Sequence, residues 1–155
     1  MVNRGPFSYE TNVKWIAGKA GVIAGPGVPP VSFGAPAEFG GAGRSWTPEH
    51  FYLAAAEACL MNTFLSVAEA SGLVIEDYES AAHATLEWIE GSGFRMTRIE
   101  ITPTIRVPSG AAVGKAARLI QKAEKLCLVA RSMTATVVVS PQIQVAQPEA
   151  ALAQK

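Results

Sequence analysis

One long segment without glycine or proline constrains the fold of this chain most. It runs from residue 49 to about residue 70, with Thr47-Pro48 before it and Ser71-Gly72 after it. A hydroxyl side chain at the N-cap and a proline at the first helical position are typical of a helix start. Glycine just beyond the last residue is typical of a helix end. The segment therefore predicts a helix of about six turns.

Apolar side chains cover nearly the whole circumference of this predicted helix. They are Phe51, Leu53, Ala54, Ala55, Ala56, Ala58, Leu60, Met61, Phe64, Leu65, Val67 and Ala68. A helix that is apolar on most sides is surrounded by protein. We therefore expect it at the centre of the fold, under a sheet and against another subunit.

The remaining chain predicts strands and a second helix. Before residue 48, glycine and proline are frequent, and short strands are predicted at 11–17 and 31–33 with turns and one long loop. A hairpin follows, with strands at 81–90 and 94–107 around Gly91-Ser92-Gly93. Helix 111–126 is amphipathic, and its apolar stripe ends at Cys127. A last strand is predicted at 133–144, before a tail from 146 to 155 that we expect to be frayed.

The return strand of the hairpin alternates between apolar and polar side chains. Ile99, Ile101, Ile105 and Val107 point one way, and the charged and threonine side chains between them point the other. This period of two is typical of a sheet with one wet face. Pro103 lacks an N–H, so we expect a sheet edge or a bulge there. The element order favours a single α+β domain over residues 1–155.

Composition narrows the possible partners. Only 17% of the residues are charged and 49% are hydrophobic, which indicates that some apolar surface is covered in a subunit interface. The formal net charge is zero, so neither nucleic acid nor an anionic membrane is an expected partner. We find no apolar run of the ~18 residues that a spanning helix needs and no signal-peptide core near the N-terminus. We expect a cytoplasmic protein.

The two cysteines, Cys59 and Cys127, lie on the apolar sides of the two predicted helices. In a reducing compartment such a pair is seldom a permanent cross-link, and it is more often buried and reduced or redox-active. With two histidines and no close Cys/His spacing, a zinc site is not expected.

Three motifs resemble those of the OsmC/Ohr family, the osmotically inducible and organic hydroperoxide resistance proteins. Trp46-Thr47-Pro48-Glu49-His50-Phe51 is similar to the family's helix start, and Ala54-Ala55-Ala56-Glu57-Ala58-Cys59-Leu60 to its alanine-rich run into the first cysteine. Cys127-Leu128-Val129-Ala130-Arg131-Ser132-Met133 resembles the second-cysteine motif in the variant without proline after the cysteine. The element order agrees from about residue 9 to residue 144.

The resemblance implies an OsmC-like fold, with antiparallel sheets wrapped around a long central helix in an intertwined homodimer. It implies a thiol-dependent peroxidase in which Cys59 reduces an organic hydroperoxide and Cys127 closes a disulfide. A dithiol, of lipoyl type or small, would reopen that disulfide, and no metal, flavin or haem is required. The implied site includes Glu49, which would hold a basic side chain beside Cys59.

The identity of that basic residue is the main departure from the family pattern. Where hydroperoxide resistance members carry arginine in a glycine-rich turn, this chain has Lys19 in Ala17-Gly18-Lys19-Ala20-Gly21. Lysine cannot make the planar fork of arginine to a carboxylate. Arg44 and Arg131 are the other candidates, and the departure indicates an OsmC-like branch.

Helix geometry bears on Glu49 as well. Ten residues of helix separate Glu49 from Cys59 by ~15 Å, so Glu49 cannot touch the cysteine of its own chain. In a two-fold dimer with antiparallel helices it reaches the partner's cysteine, and we expect composite sites. Apolar side chains at Phe51, Met61 and Phe64 would favour an organic peroxide as substrate.

Two alternative functions remain at this point. One is a catalytically weak OsmC-like dimer that binds an apolar small molecule, which the loss of the usual arginine favours. The other is a thiol–disulfide exchange protein acting on other proteins, although the chain has no Cys-X-X-Cys motif.

Overall fold

The computed structural model describes residues 4–147. Their contacts divide into two compact units, with the boundary between Tyr52 and Leu53. The predicted frayed tail lies mostly outside the described residues. Ala146, at its start, donates its N–H to the carbonyl of Val107.

The first unit contains a three-stranded antiparallel sheet in the order β1-β2-β3. Its strands are β1 (Asn12–Ala17), β2 (Ala20–Gly25) and β3 (Val28–Gly34). The strands predicted at 11–17 and 31–33 are confirmed. β2 was not predicted, because its sequence Ala-Gly-Val-Ile-Ala-Gly does not alternate and has β-branched residues only at Val22 and Ile23. After β3, the Gly34 N–H donates to the Trp46 carbonyl at 2.9 Å, which fixes the end of the long loop.

The central helix, α1 (Pro48–Ala70), begins in the first unit and continues into the second. It starts and ends where the sequence predicts. The Thr47 hydroxyl lies 2.9 Å from Nδ1 of His50 and accepts the His50 N–H, which caps the first turn. Gly72 has a φ of 63°, a left-handed conformation that favours glycine, and it follows directly on the last turn.

The second unit contains a four-stranded sheet and the helices that cover it. Its other elements are β4 (Asp77–Ile89), β5 (Gly93–Val107), α2 (Gly110–Leu126), α3 (Leu128–Ser132), β6 (Thr136–Val139) and β7 (Gln142–Val145). The predicted hairpin and second helix are confirmed, and β4 begins four residues earlier than predicted. α3 was not predicted. The predicted last strand, 133–144, is wrong as a single element, because the chain breaks at Ser140-Pro141 into β6 and β7.

This sheet is mixed, which corrects the expectation of antiparallel sheets throughout. β4 pairs antiparallel with β5, whereas β6 and β7 both pair parallel with β5. The reason is the connection: α2 and α3 carry the chain back along the sheet, so the next strand enters in the direction of β5.

The expectation of a sheet edge or a bulge at Pro103 is also wrong. Pro103 is buried in the central strand, and the bulge lies at Thr85/Leu86. β6 pairs with β5 up to Ile101, and β7 begins to pair at Thr104. The proline therefore falls in the gap between two partner strands, where a missing N–H breaks no ladder hydrogen bond on that side.

One face of the sheet forms the core of the second unit. Ile99, Ile101, Ile105 and Val107 are at most 1% exposed, and the polar residues between them face outward, as the alternation predicts. The buried face of α2 lies in the same core, with Ala116, Ile120 and Ala123 at 0% exposure.

α1 contributes one buried stripe rather than a fully covered surface. The stripe consists of Ala56, Leu60, Phe64 and Ala68, at a spacing of four residues. Phe64 packs on Tyr78 of β4, with ring centroids 5.8 Å apart. Contrary to the sequence estimate, α1 is long and apolar enough to span a membrane by length and composition. Its packing shows that it is a core helix.

Candidate active site

The two cysteines meet where α1 passes the junction of α2 and α3. Cys59 lies in the middle of α1 and is half-buried. Cys127 is both the last cap of α2 and the first cap of α3, and it is 1% exposed. The two thiols lie near enough to shift each other's pKa, and both are free. The fold thus brings together two sulfurs that are 68 positions apart in the sequence (127 − 59).

Four polar groups surround the sulfur of Cys59. They are the N–H groups of Val129 and Leu128, the thiol of Cys127 and the hydroxyl of Thr63, whose oxygen lies 4.0 Å from the sulfur. Thr63 follows Cys59 by one helical turn, which places both side chains on one face of α1. The two N–H groups belong to the first turn of α3, where backbone donors have no partner within a helix.

These groups set the acidity of Cys59. Burial alone raises the pKa of a thiol, and it is the largest single influence here. The hydrogen bonds from Val129, Cys127, Thr63 and Leu128 together exceed it, so the pKa of Cys59 is lowered below its ordinary value. No basic side chain of the second unit is among these groups. Within this unit, the groups that lower the pKa of Cys59 are neutral hydrogen-bond donors, and the basic side chain expected beside Cys59 stays a prediction.

Cys127 has the opposite character. Burial, and the contact with Cys59, raise the pKa of its thiol. Its sulfur lies 4.0 Å from the carbonyl oxygen of Ala56, the single proton of the thiol being the donor. When Cys59 is ionised, the same proton can be donated to the Cys59 thiolate instead. The pKa values of the two thiols are therefore shifted in opposite directions, down for Cys59 and up for Cys127.

The other predicted site residues lie in the first unit or at the edge of the second. Lys19 is exposed in the β1–β2 turn, and its Nζ donates to the Phe39 carbonyl. Arg44 is exposed in the long loop, and Arg131 is exposed in α3. Glu49 lies in the first turn of α1, and within residues 4–147 its buried Oε2 has no hydrogen-bond partner.

The predicted apolar contacts differ in their exposure. Phe51 stacks on Trp46 with centroids 5.8 Å apart, and Met61 is half-buried. Phe64 is fully buried in the core. Glu57, two residues before Cys59, accepts a hydrogen bond from the Ser80 hydroxyl at 2.6 Å.

Sequence reasoning missed Thr63 and the N–H groups of residues 128 and 129. Thr63 could have been found from its spacing of four residues after Cys59. The backbone donors could not, because they depend on α3, a five-residue helix without a sequence signal. Across residues 4–147 no cluster of three or more His, Cys, Asp or Glu side chains could hold a metal ion.

Two free cysteines thus lie near each other on an α+β fold with two sheets and long helices. The family model described as OsmC-like protein matches residues 41–142, more than half of the chain. This chain belongs to the OsmC-like family. The family includes the organic hydroperoxide resistance proteins, which are thiol-dependent peroxidases.

Solved structures share the fold at low sequence identity. An OsmC-like protein of unknown function from Vibrio cholerae matches with a TM-score of 0.80 at 18% identity, over 88% of this chain and 99% of that one. The organic hydroperoxide resistance protein OhrB of Bacillus subtilis matches with a TM-score of 0.60 at 23% identity, over 89% and 98%.

A third structure shows a small molecule in a family site. It is described as an organic hydroperoxide resistance protein of Vibrio cholerae, and captopril is bound in one of its active sites. It matches with a TM-score of 0.66 at 19% identity, over 91% of this chain and 95% of that one. No curated protein matches the chain.

Proposed function

We propose that this protein is a cytoplasmic thiol-dependent peroxidase that reduces organic hydroperoxides to alcohols through an intramolecular Cys59–Cys127 disulfide. The observation that carries the proposal is the contact between two free thiols whose pKa values are shifted in opposite directions. A nucleophile must be a thiolate, whereas the group that later supplies the second sulfur is best kept protonated until it is needed. Membership of the OsmC-like family supports the same reaction.

The proposed cycle balances without a cofactor. The Cys59 thiolate attacks the outer oxygen of the hydroperoxide, the O–O bond breaks, and the alkoxide leaves as the alcohol after taking a proton. Cys59 is then a sulfenic acid. The thiol of Cys127 condenses with it, which forms the S–S bond and releases water. A dithiol returns the disulfide to two thiols by exchange and is itself oxidised to a disulfide.

We further propose that the working form is an intertwined homodimer with composite sites. Large apolar side chains are exposed in the single chain, among them Trp15 at 72%, Trp88 at 65% and Phe94 at 55%. The orphaned carboxylate oxygen of Glu49 needs a partner, since a buried unpaired polar atom is costly. In the dimer Glu49 would hold a basic side chain, Lys19 or one of the arginines Arg44 and Arg131, beside the cysteine of the other subunit.

The proposed substrate is an organic peroxide because the side chains assigned to the site are apolar. Phe51 and Met61 are half-buried and would contact the substrate directly. Phe64 is fully buried and would support the site from within the core. A single domain over residues 1–155 is part of the same proposal.

Cysteine variants test the proposal. Cys59→Ser should abolish turnover of cumene hydroperoxide with a dithiol, because no sulfur is left to attack the O–O bond. Cys127→Ser should consume one equivalent of peroxide and then stall as the sulfenic acid. Multiple turnover by both variants would end the proposal.

A catalytically weak dimer that binds an apolar small molecule is the second candidate. It is favoured by Lys19, which replaces the family's arginine and whose amine is engaged by the Phe39 carbonyl. Under this alternative, Cys59 would react with iodoacetamide no faster than a free model thiol, and hydroperoxide would leave both sulfurs reduced.

A further inference from the structure

Cys127 faces a cavity of the second unit to which the proposed peroxide chemistry assigns no ligand. Its volume is about 190 Å³. Its walls are formed by Ala56, Leu60, Ile101, Glu124, Cys127, Ala130, Arg131, Val137 and Val139. Among the residues of this unit, Cys127 lines the cavity and Cys59 does not. The buried sulfur of Cys127 therefore has an approach of its own.

The lining suits a slim aliphatic thiol. Side chains of α1, β5 and β6 give an apolar wall on one side of the sulfur. Arg131, which is exposed, and Glu124 supply the charged part of the lining. A guanidinium favours the thiolate form of an incoming thiol, and the thiolate is the form that attacks a disulfide.

On the basis of the proposed function, we propose that the dithiol reductant enters this cavity and attacks Sγ of Cys127, not Sγ of Cys59. The peroxide then reacts at the sulfur of Cys59, and the reductant at the sulfur of Cys127. The first thiolate of the dithiol forms an S–S bond to Cys127 and expels the Cys59 thiolate. The second thiol loses its proton, attacks the sulfur of the dithiol already bound, and closes a cyclic disulfide. Cys127 leaves with the electron pair and takes up the proton.

The acidity of the two sulfurs supports this direction of attack. In thiol–disulfide exchange the sulfur of lower pKa is the better leaving group. Cys59 has the lowered pKa and Cys127 the raised one. Attack on Cys127 expels the stabilised thiolate, which stays in contact with Thr63 and the N–H groups of residues 128 and 129. Attack on Cys59 would expel the poorer leaving group into a buried setting.

A trapped mixed disulfide identifies the sulfur that is attacked. The wild-type disulfide is formed with diamide, treated briefly with 6-mercaptohexanol, quenched in denaturing acid and blocked with N-ethylmaleimide. A monothiol has no second sulfur to displace the cysteine within the same adduct, so a brief treatment leaves the adduct on the attacked cysteine. Peptide mass spectrometry should find mercaptohexanol on Cys127 and maleimide on Cys59. The reverse labelling overturns the inference, as does a chain in which diamide forms no disulfide.

A matched pair of variants tests the cavity itself. Val137→Phe fills it, whereas Val138→Phe adds the same bulk on the opposite face of β6, because neighbouring residues of a strand alternate. Reduction of the disulfide by dihydrolipoamide should slow by about tenfold in Val137→Phe only, since access to the sulfur controls exchange. Equal rates in the two variants contradict the inference.

The peroxide step separates this inference from the proposed function. Oxidation of Cys59 by cumene hydroperoxide should proceed at the wild-type rate in Val137→Phe. If hydroperoxide oxidises no variant, but diamide-formed disulfide still gives the Cys127 adduct, the proposed function fails and the route through the cavity stands. If hydroperoxide oxidises the protein and the adduct maps to Cys59, the route alone fails.

Discussion

The pKa of Cys59 is lowered by neutral hydrogen-bond donors around its sulfur in the second unit. The sequence singled out the two cysteines, because their placement on two apolar helix faces is visible in the pattern, and the structure brings them near each other. It could not supply the donors from Leu128 and Val129, since a backbone N–H is invisible in sequence until the local conformation is known. Among the four groups that lower the pKa of Cys59, Thr63 supplies the side-chain hydroxyl.

Removal of the Thr63 hydroxyl should make Cys59 less acidic. Thr63→Val keeps the shape of the side chain and removes one donor to the thiolate. One hydrogen bond contributes about 1 kcal/mol, so alkylation of Cys59 by iodoacetamide at neutral pH should slow about threefold to tenfold. Ser66→Ala is the control, because that hydroxyl donates to the Asn62 carbonyl on the exposed side of the same helix. Equal effects of the two substitutions would show that Thr63 has no role at the sulfur.

The pH dependence of alkylation should differ between the two cysteines. The thiolate is the reactive form, so a lowered pKa moves the half-maximal rate to lower pH, and a raised pKa moves it to higher pH. Cys59 should therefore titrate below the ordinary value of a free thiol, and Cys127 above it. Alkylation of each cysteine peptide, followed from about pH 5 to about pH 10, measures both pKa values. This range brackets the ordinary pKa of a thiol. Coinciding profiles, or the opposite order, would contradict the account.

At the scale of elements, periodicity was sufficient for α1, α2 and the β4–β5 hairpin. Those segments are long, and their caps and turns carry residues with a specific geometric role, such as Gly91 with a φ of 76° in the hairpin turn. Periodicity failed for β2, α3 and the β6–β7 break, which are four to six residues long. β6 pairs parallel with β5 because of the path that α2 takes along the sheet. Local sequence patterns do not encode that path.

The short helix α3 permits a test of its backbone donors. Leu128 occupies the first helical position, where proline is tolerated, and Cys127 before it has a φ of −58° and a ψ of 105°, close to the extended region that precedes proline. Leu128→Pro should fold and remove one N–H from the Cys59 thiolate. Of the hydrogen bonds that lower the pKa of Cys59, that of Leu128 is the weakest.

The expected effect of Leu128→Pro is therefore smaller than that of Thr63→Val. Iodoacetamide labelling of Cys59 at neutral pH should slow measurably, and thermal unfolding should stay close to wild type. A larger loss of reactivity than in Thr63→Val, with unchanged unfolding, would mean that the N–H of Leu128 contributes more than the structure indicates.

At the scale of the whole molecule, the proposed dimer would explain features that a single chain leaves open. The low content of charged residues, the exposed tryptophans and the buried oxygen of Glu49 all point to a second subunit. The sequence alone suggested the subunit interface, because composition reports total apolar surface. It could not show which residues of the two chains would meet, since the sequence of one chain does not contain the symmetry that would relate two subunits.

Mixing two inactive variants tests the composite site. Glu49→Gln lacks the carboxylate and Cys59→Ser lacks the nucleophile, so each homodimer should be slow or inactive with cumene hydroperoxide. If Glu49 serves the other subunit, a heterodimer contains one intact site, and co-refolded protein should regain about a quarter of wild-type activity (half of the molecules are heterodimers with one site of two). Glu49→Gln mixed with itself is the control. Absence of recovery in a confirmed heterodimer would show that Glu49 does not serve the cysteine of the other subunit.

The mass of the intact protein after one equivalent of cumene hydroperoxide tests the central claim most directly. The account predicts a loss of two hydrogens and, on peptide mapping, a single disulfide between Cys59 and Cys127. Unchanged mass, or oxygen added to Cys59 while Cys127 stays a free thiol, would contradict it.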